Sequence, residues 1–176
     1  PFPGGERYSW IKKSAAKLKL STVCEEANCP NIGECWNGGT ATFMLMGDTC
    51  TRGCRFCAVK SAKSPGALDA EEPKKLAETV NKMDLKYVVL TTVDRDDLPD
   101  QGAAHIARCI RSTQRACPDM LIEMLMPDFQ GKTELVQQVI NARPVVLAHN
   151  LETVRSLTPI VRDARAGYDQ SLQVLR

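Results

Sequence analysis

The sequence lacks a long hydrophobic run, a strong net charge and a recognisable secretory signal, and each absence excludes a class of protein. Its apolar stretches, such as Phe43–Met46 and Val145–Ala148, are far shorter than the roughly 20 residues that a membrane span needs. The formal net charge is +2, from 23 basic and 21 acidic side chains. We therefore expect neither a membrane protein nor one that binds nucleic acid through a basic surface.

The 176 residues are enough to bury one hydrophobic core. The chain begins at Pro1 rather than Met, which predicts that the natural N-terminus lies further upstream. It ends at Arg176, inside a segment that has the pattern of a continuing element. We therefore expect the sequence to be a fragment of a longer protein.

Cysteine is abundant, because the chain has eight. Without a secretory signal, and with enough residues to form a core, a disulfide framework is disfavoured. Clustered cysteines in an intracellular enzyme more often hold a metal or take part in redox chemistry. Six of the eight form two triplets, with the spacing C-x4-C-x5-C at Cys24, Cys29 and Cys35 and the spacing C-x3-C-x2-C at Cys50, Cys54 and Cys57.

The hydrophobic pattern from residue 40 onward alternates between the periods of strands and of helices. Such alternation, with nearly continuous apolar strands, predicts an α/β fold with a parallel sheet. Only about four βα units are present, so we predict an open, partial TIM-type βα barrel over residues 40–176, preceded by an extension over residues 1–39. The predicted strands are residues 41–46, 87–92, 120–126 and 144–148, and the predicted helices are residues 70–83, 106–117, 135–140 and 151–157.

The second triplet, Cys50, Cys54 and Cys57, follows the first predicted strand, where a parallel α/β fold places functional loops. Three thiolates can hold three irons of a cubane cluster and leave the fourth iron open. The alternative is a zinc site completed by a distant ligand, although structural zinc sites usually use paired C-x2-C units. Residues 24–39, which contain the first triplet, are rich in Asn, Gly, Pro and Glu and predict a loop wrapped round a ligand.

The spacing of the second triplet resembles that of radical S-adenosylmethionine enzymes. Together with the first triplet and the run TFMLMGDTCTRGCRFCAV, the sequence is similar to the lipoyl synthase family. Further similar segments follow in order to the end of the chain, so the resemblance covers nearly all of it. They are LTTVDRDDLPDQGA, IEMLMPDFQG, AHNLETV and VRDARAGYDQSLQVL.

The resemblance implies two 4Fe–4S clusters and S-adenosyl-L-methionine as cofactors. The second triplet would hold the cluster whose open iron binds S-adenosylmethionine, so that an electron yields a 5′-deoxyadenosyl radical. The first triplet would hold an auxiliary cluster that donates its own sulfur. In the family a serine from an R-S-S-Y-type motif completes the auxiliary cluster. This motif does not occur in the sequence, so no serine is assigned.

The resemblance also implies a sulfurtransferase reaction. Sulfur is inserted at C6 and C8 of an octanoyl chain that is amide-linked to a lysine of a lipoyl carrier domain. The implied partners are the E2 subunits of 2-oxoacid dehydrogenases, the glycine cleavage H protein, and an electron donor such as ferredoxin or flavodoxin. The implied compartment is the bacterial cytoplasm, or the mitochondrial matrix in a eukaryote. The compact run WNGGTATFMLMG favours a bacterial protein.

Several side chains are expected to bind S-adenosylmethionine by analogy with the superfamily. Thr91, Thr92 and Asp94 end the second strand, where polar groups can pair with the ammonium of the methionine end. The alternative for these three residues is a capped turn. Phe56 is expected beside the adenine, or otherwise as a buried aromatic lid.

The later strands supply further candidates. Glu123 lies in an otherwise apolar strand and needs a partner, either a ribose hydroxyl of the cofactor or a basic side chain across the sheet. His149 and Asn150 are assigned to binding, because the radical chemistry needs no general base here. Arg162 is assigned to the cofactor carboxylate.

The remaining polar groups and cysteines have structural interpretations. Asp69 and Glu72 have the spacing of a capping box. His105 is predicted to lie at the surface. Cys109 and Cys117 fall on the apolar face of one helix and are predicted to belong to the core.

The acidic run at residues 94–100 lacks the spacing of a calcium loop, so a solvated loop in which Arg95 pairs locally is predicted.

Two other functions compete with lipoyl synthesis. A biotin synthase relative is disfavoured, because that group does not place a C-x4-C-x5-C triplet before the radical motif. A zinc-binding interaction module is disfavoured by the nearly neutral charge.

Overall fold

A computed structural model describes residues 5–18, 20–26, 29–83 and 85–176, apart from the side chains of residues 7 and 18. The strands are β1 (Ser21–Thr22), β2 (Thr40–Leu45), β3 (Thr49–Cys50), β4 (Lys60–Ser61), β5 (Tyr87–Thr92), β6 (Leu121–Leu125) and β7 (Val146–Ala148). The helices are α1 (Glu6–Leu18), α2 (Val23–Glu26), α3 (Ile32–Asn37), α4 (Glu72–Met83), α5 (Ala103–Ala116), α6 (Thr133–Ile140), α7 (Thr158–Val161) and α8 (Tyr168–Val174), with a 3₁₀ turn at Phe129–Gly131. None of the helices in these ranges is long and apolar enough to cross a membrane.

A five-stranded open sheet forms the centre of the fold, in the order β1-β2-β5-β6-β7. The strands β2, β5, β6 and β7 are parallel, whereas β1 pairs antiparallel with β2. The strands β3 and β4 form a separate parallel pair. The predicted α/β class and its four parallel strands are confirmed. The carboxyl ends of these strands lie along one edge of the sheet, which is where functional loops leave an α/β fold.

One face of the sheet is buried under α4, α5 and α6. Val88 and Leu90 on β5 alternate with half-buried residues, and Met124 on β6 continues the same face in register with Leu90. Leu76 on α4 and Ile106 on α5 are buried in the same core. These three helices lie where helical spacing of apolar residues predicts them, because that spacing gives each helix one apolar stripe for the sheet.

The N-terminal region is more regular than its sequence predicts. Helix α1 buries Ile11 and Ala15, which are one helical turn apart. Helix α3 buries Ile32 and Trp36, again one turn apart. The prediction of a loop over residues 24–39 is therefore wrong in part, since α2 and α3 occupy much of this segment. Each buries too few apolar residues to give a clear periodic signal.

The predicted helix at residues 151–157 is wrong. Val154 and Leu157 are 59% and 45% exposed, so their helical spacing does not mark a face that packs on the core. Helix α7 begins instead at Thr158, with Pro159 in its first turn. Proline is tolerated there because the first amides of a helix have no partner within the helix.

Two polar residues lie where the sequence does not predict them. The predicted capping box is wrong, because Glu72 is only 6% exposed and its carboxylate accepts a hydrogen bond from the distant Met46 amide. Asp69 accepts a hydrogen bond from the Glu71 amide. His105 was predicted at the surface but is 1% exposed. The core assignment of Cys109 is confirmed, and Cys117 is half-buried against the core.

Gly102, at the start of α5, has φ +85°, and a Cβ there would lie 2.2 Å from Met46 Sδ. We expect Gly102→Ala to lower the free energy of unfolding by about 2–4 kcal/mol, from the left-handed backbone and the displaced Met46 side chain together. Gly66→Ala is the control, since its φ is +91° but nothing lies within 4 Å. It should lose only about 1–2 kcal/mol. Urea denaturation measures both losses, and equal losses would contradict the close contact.

Candidate functional site

Two adjoining cavities, of about 120 and 170 Å³, lie at the carboxyl ends of the parallel strands. The smaller cavity is lined mainly by residues that follow β5, β6 and β7. The larger cavity is lined by the loop that contains the second cysteine triplet. Because the cavities share lining residues, a ligand bound in one can extend into the other. The shared residues are Arg52, Thr92, Asp94, Glu152 and Arg162.

The larger cavity brings together the thiols of Cys50, Cys54 and Cys57. The backbone amides of Arg52 and Asp94 both donate hydrogen bonds to Cys50 Sγ, at 3.3 Å each. Such N–H···S bonds stabilise thiolates bound to iron and tune the potential of a cluster. Three thiols on one cavity, with amides already directed at a sulfur, fit an iron–sulfur cluster that has an open coordination position.

The thiols are not ionised by their surroundings alone. Burial raises the pKa of Cys50 to about 11, although the amide of Arg52 opposes the increase. Burial also raises the pKa of Cys54. A bound metal removes the proton from a coordinating thiol, so we expect these sulfurs to become thiolates on loading.

The segment at residues 161–165 clamps the cysteine loop from the far end of the chain. The Arg55 amide donates to the Val161 carbonyl at 2.8 Å, and the Gly53 amide donates to Asp163 Oδ2 at 3.0 Å. The Asp163 amide in turn donates to Cys54 Sγ at 3.3 Å. Within this segment, the sequence predicts a binding role for Arg162 alone. The alternating acidic and basic residues of VRDARAG indicate a polar segment, but they do not reveal that Asp163 binds Gly53, about 110 residues away.

Arg52, between two of the cysteines, is the centre of a buried charge network. Its side chain is 3% exposed and lies 2.8 Å from both Asp96 and Asp128 and 3.5 Å from Asp94. Burial acts to lower the pKa of Arg52, but hydrogen bonds to Asp96 and Asp128 outweigh it and raise the pKa. Burial likewise acts to raise the pKa of Asp96, but Arg52 lowers it to about 2. The network therefore keeps these charges ionised inside the fold.

The acidic run at residues 94–100 is thus only partly a solvated loop. The local pairing of Arg95 is confirmed, because Arg95 Nε donates to Asp97 at 2.8 Å. The side chain of Asp96, by contrast, is 6% exposed. Asp94 lines both cavities, and burial raises its pKa to about 6, against the opposing charge of Arg52.

The smaller cavity contains unsatisfied polar groups. Within the described ranges, Thr92 Oγ1, His149 Nε2 and Arg162 Nε are buried atoms without a hydrogen-bond partner, and all three residues line this cavity. His149 Nδ1 lies 3.0 Å from the Met126 carbonyl, so Nδ1 donates and Nε2 is left as an acceptor. Burying unpaired polar groups is costly. Their convergence fits a polar ligand that offers both donors and acceptors.

The candidate cofactor residues are distributed between the two cavities. Phe56 lines the larger cavity and is 52% exposed, so the alternative of a buried aromatic lid is wrong. Glu123 lines neither cavity and accepts a hydrogen bond from the Tyr87 hydroxyl, on the half-buried face of the sheet. Its assignment to the ribose stays a prediction. The smaller cavity is lined by Thr91, Thr92, Asp94, His149, Asn150 and Arg162.

The first triplet lies on short elements that pack beside β2. Cys24 is on α2, Cys29 follows it, and Cys35 is on α3. Burial raises the pKa of Cys24, although a backbone hydrogen bond from Thr42 on β2 opposes it, and the nearby Cys29 and Cys35 raise it further. Cys29 is half-buried and Cys35 is exposed. These three thiols lie on adjoining short elements and could together hold a second metal centre.

The model of the Radical SAM superfamily matches residues 44–176. Lipoyl synthase of Anaeromyxobacter sp. (strain Fw109-5) is 58% identical over 98% of this chain and 58% of its own length. Lipoyl synthase of Thermus thermophilus is 55% identical over 99% of this chain and 54% of its own. Mitochondrial lipoyl synthase of Picea sitchensis is 54% identical over 99% of this chain and 46% of its own.

These relatives confirm the resemblance to lipoyl synthases, and the chain spans about half the length of the curated relatives it matches. The match to the superfamily model includes the second cysteine triplet and every residue that lines the two cavities. The chain therefore belongs to the radical SAM superfamily.

Proposed function

We propose that the protein is a lipoyl synthase, a sulfurtransferase that inserts sulfur at C6 and C8 of an octanoyl chain linked to a lysine of a carrier domain. The observation that supports this most strongly is the pair of cysteine triplets on neighbouring elements joined by β2. Relatives named lipoyl synthase match nearly the whole chain, including both triplets. Superfamily membership alone would account for only the second triplet.

The second triplet is proposed to hold the radical-generating 4Fe–4S cluster, with S-adenosylmethionine in the adjoining cavity. When bound, the two together supply a 5′-deoxyadenosyl radical for hydrogen abstraction. The chain's own task is to orient the cofactor and exclude water. Asp94 offers a carboxylate for the ammonium, and Arg162 offers a guanidinium for the carboxylate. Thr92 and His149 provide the unpaired donor and acceptor noted above.

The first triplet is proposed to hold the auxiliary cluster that supplies sulfur. Cys35 is exposed and Cys24 and Cys29 are half-buried, so a long acyl chain can approach this cluster from outside. A radical generator and a sulfur donor must lie across one protected space for the two steps to couple. The Thr42 backbone on β2 is hydrogen-bonded to Cys24, and β3, which carries Cys50, follows β2 in the chain. This closeness in the chain favours such an arrangement.

The four parallel strands are proposed to form part of an open βα barrel over residues 40–176, with residues 1–39 as an extension that carries the auxiliary site. The proposed partners are octanoylated carrier domains, namely E2 subunits of 2-oxoacid dehydrogenases and the glycine cleavage H protein, and an electron donor such as ferredoxin or flavodoxin. Relatives are named from bacteria, from mitochondria and from the apicoplast. The cytoplasmic location therefore stays a prediction.

The test is anaerobic reconstitution of the full-length protein, followed by a count of iron and sulfide per chain and an assay on an octanoylated carrier domain. We expect about eight irons and eight sulfides, for two 4Fe–4S clusters, and thioether and dithiolane products by mass spectrometry. A fully loaded protein that forms neither product would refute the proposed activity. Stoichiometric zinc without iron would instead favour a binding module.

A further inference from the structure

A buried carboxylate outside the two cavities holds the end of β2. Glu72, at the first residue of α4, is 6% exposed. Its two carboxylate oxygens lie 3.1 and 3.0 Å from the Met46 backbone nitrogen, so the Met46 amide donates to the carboxylate. A buried charge needs several strong partners. The first partner of this carboxylate is therefore a backbone amide that lies 26 residues earlier in the chain.

His105, on α5, is the second partner of this carboxylate. His105 Nε2 lies 2.5 Å from Glu72 Oε2, and His105 Nδ1 lies 3.2 Å from a guanidinium nitrogen of Arg108. A guanidinium only donates, so His105 Nδ1 accepts from Arg108, and His105 Nε2–H donates a hydrogen bond to the Glu72 carboxylate. The pair therefore ties α4 and α5 to the same point of the sheet.

Met46 itself has an unusual backbone. It follows the last residue of β2 with φ +68°, and Gly47 follows with φ +90°. A left-handed conformation is strained for any residue other than glycine, so it persists only where its surroundings enforce it. Two contacts enforce it here. Glu72 binds the Met46 amide, and the Met46 side chain packs against Gly102 at the start of α5.

The turn at Met46 and Gly47 sets the direction in which the chain leaves the sheet. Strand β3, which ends at Cys50, begins only two residues beyond Gly47. On the other side of Cys50, the Ala62 amide donates to the Cys50 carbonyl at 2.9 Å. The backbone at Cys50 is thus held on one side by the Met46–Gly47 turn and on the other by the hydrogen bond from Ala62.

The cluster of Glu72, His105 and Cys109 also has ligand atoms within 4.8 Å of one another, but a metal site there is disfavoured. A nitrogen and an oxygen that each lie about 2 Å from one ion are held roughly 3 Å apart, wider than the 2.5 Å between His105 and Glu72. The geometry is that of a hydrogen-bonded pair.

We propose that Glu72 and His105 are positioning residues for the cysteine loop. They hold the Met46–Gly47 turn in its left-handed form and thereby place Cys50 at the edge of the larger cavity. The inference rests on the proposed function only in that the second triplet binds the radical-generating cluster. Neither side chain lines the cavities, so both act through the backbone.

The test compares Glu72→Gln with Thr79→Val. Gln has the size of Glu, but its side chain is neutral and has one acceptor oxygen instead of two. It therefore cannot replace the charged carboxylate as acceptor for both the Met46 amide and His105. Thr79 lies on the same helix, is 1% exposed, and donates its hydroxyl within α4, to the Lys75 carbonyl. Thr79→Val therefore removes a buried hydrogen bond of α4 without touching Met46.

Hydrogen exchange on a peptide spanning residues 44–50 gives the first readout, in the protein without its cluster. We expect exchange about tenfold faster in Glu72→Gln, the change that corresponds to loss of one hydrogen bond to a charged acceptor, and unchanged exchange in Thr79→Val. Equal exchange in both variants would overturn the proposal. This comparison is valid even if the protein holds no iron, so failure of the proposed function is detected separately, in the wild-type iron count.

The second readout is the loaded protein. We expect the Kd for S-adenosylmethionine to rise about tenfold in Glu72→Gln, because small displacements of a site weaken ligand alignment. The electron paramagnetic resonance spectrum of the reduced cluster with S-adenosylmethionine should also change, while Thr79→Val keeps both wild-type values. Faster exchange with an unchanged Kd and spectrum would mean that the pair stabilises the turn without positioning the cluster, and would also overturn the proposal.

Discussion

Arg52→Met is expected to lower the free energy of unfolding by about 3–5 kcal/mol, the loss that follows when one partner of a buried ion pair is removed. The guanidinium is 3% exposed and lies 2.8 Å from both Asp96 and Asp128, whose side chains are 6% and 0% exposed. Without it, two buried carboxylates lose their main counter-charge. Urea denaturation of the protein without its clusters, with its thiols kept reduced, measures the loss.

The loss should depend on pH. Arg52 lowers the folded-state pKa of Asp96 to about 2, against the burial that would raise it. A carboxyl with a lowered pKa contributes stability above its unfolded value near pH 4, and that contribution disappears as the pH falls toward 2. The difference between wild type and Arg52→Met should therefore narrow as the solution is acidified from pH 7 to about pH 3.

Arg55→Met is the matched control for Arg52→Met. Arg55 lies in the same loop between two cysteines, and its side chain is exposed. A surface substitution of this kind changes stability by about 0.5 kcal/mol or less. Similar losses in the two variants would show that the buried network contributes no more than a surface charge.

Alanine substitution of each cysteine triplet is expected to separate radical generation from sulfur insertion. Replacing Cys50, Cys54 and Cys57 removes every thiol from the larger cavity, so iron should fall from about eight to about four per chain. Cleavage of S-adenosylmethionine should fall to background. The measurements are iron analysis and release of 5′-deoxyadenosine under anaerobic reduction.

The complementary variant replaces Cys24, Cys29 and Cys35. We expect the same loss of about four irons, but with 5′-deoxyadenosine still released and no thioether or dithiolane formed on the octanoylated carrier. Cys117→Ser is the control, because this half-buried thiol belongs to neither triplet and should leave the iron count unchanged. If both triplet variants abolished cleavage, the division of labour between the two sites would be wrong.

Much of the fold follows from local sequence. The strands β2, β5, β6 and β7 are short apolar runs between helical segments, and this alternation is sufficient to predict a parallel sheet. The prediction is wrong at residues 151–157, because helical spacing of apolar residues does not establish that a core lies beside them. Val154 and Leu157 have that spacing but remain exposed.

The sequence predicts those parts of the candidate site that depend on the spacing of nearby cysteines or on polar residues at the end of a strand. Both cysteine triplets, and polar residues after β5 and β7 such as Thr92 and His149, belong to this class. The contribution of residues 161–165 was not predictable, since Asp163 binds Gly53 across 110 positions. A single aspartate in a polar segment gives no signal of a partner so far away.

The sequence by itself determined the class of fold, the six cysteines that suit iron and the strand ends where a cofactor could bind. These properties depend on spacing within a few residues. Only the tertiary structure decided which charges are buried. Arg52 donates hydrogen bonds to carboxylates 44 and 76 residues away. Glu72, on α4, is hydrogen-bonded to the Met46 amide after β2 and to His105 on α5. A polar side chain is buried when distant segments meet round it, and local patterns do not specify where those segments meet.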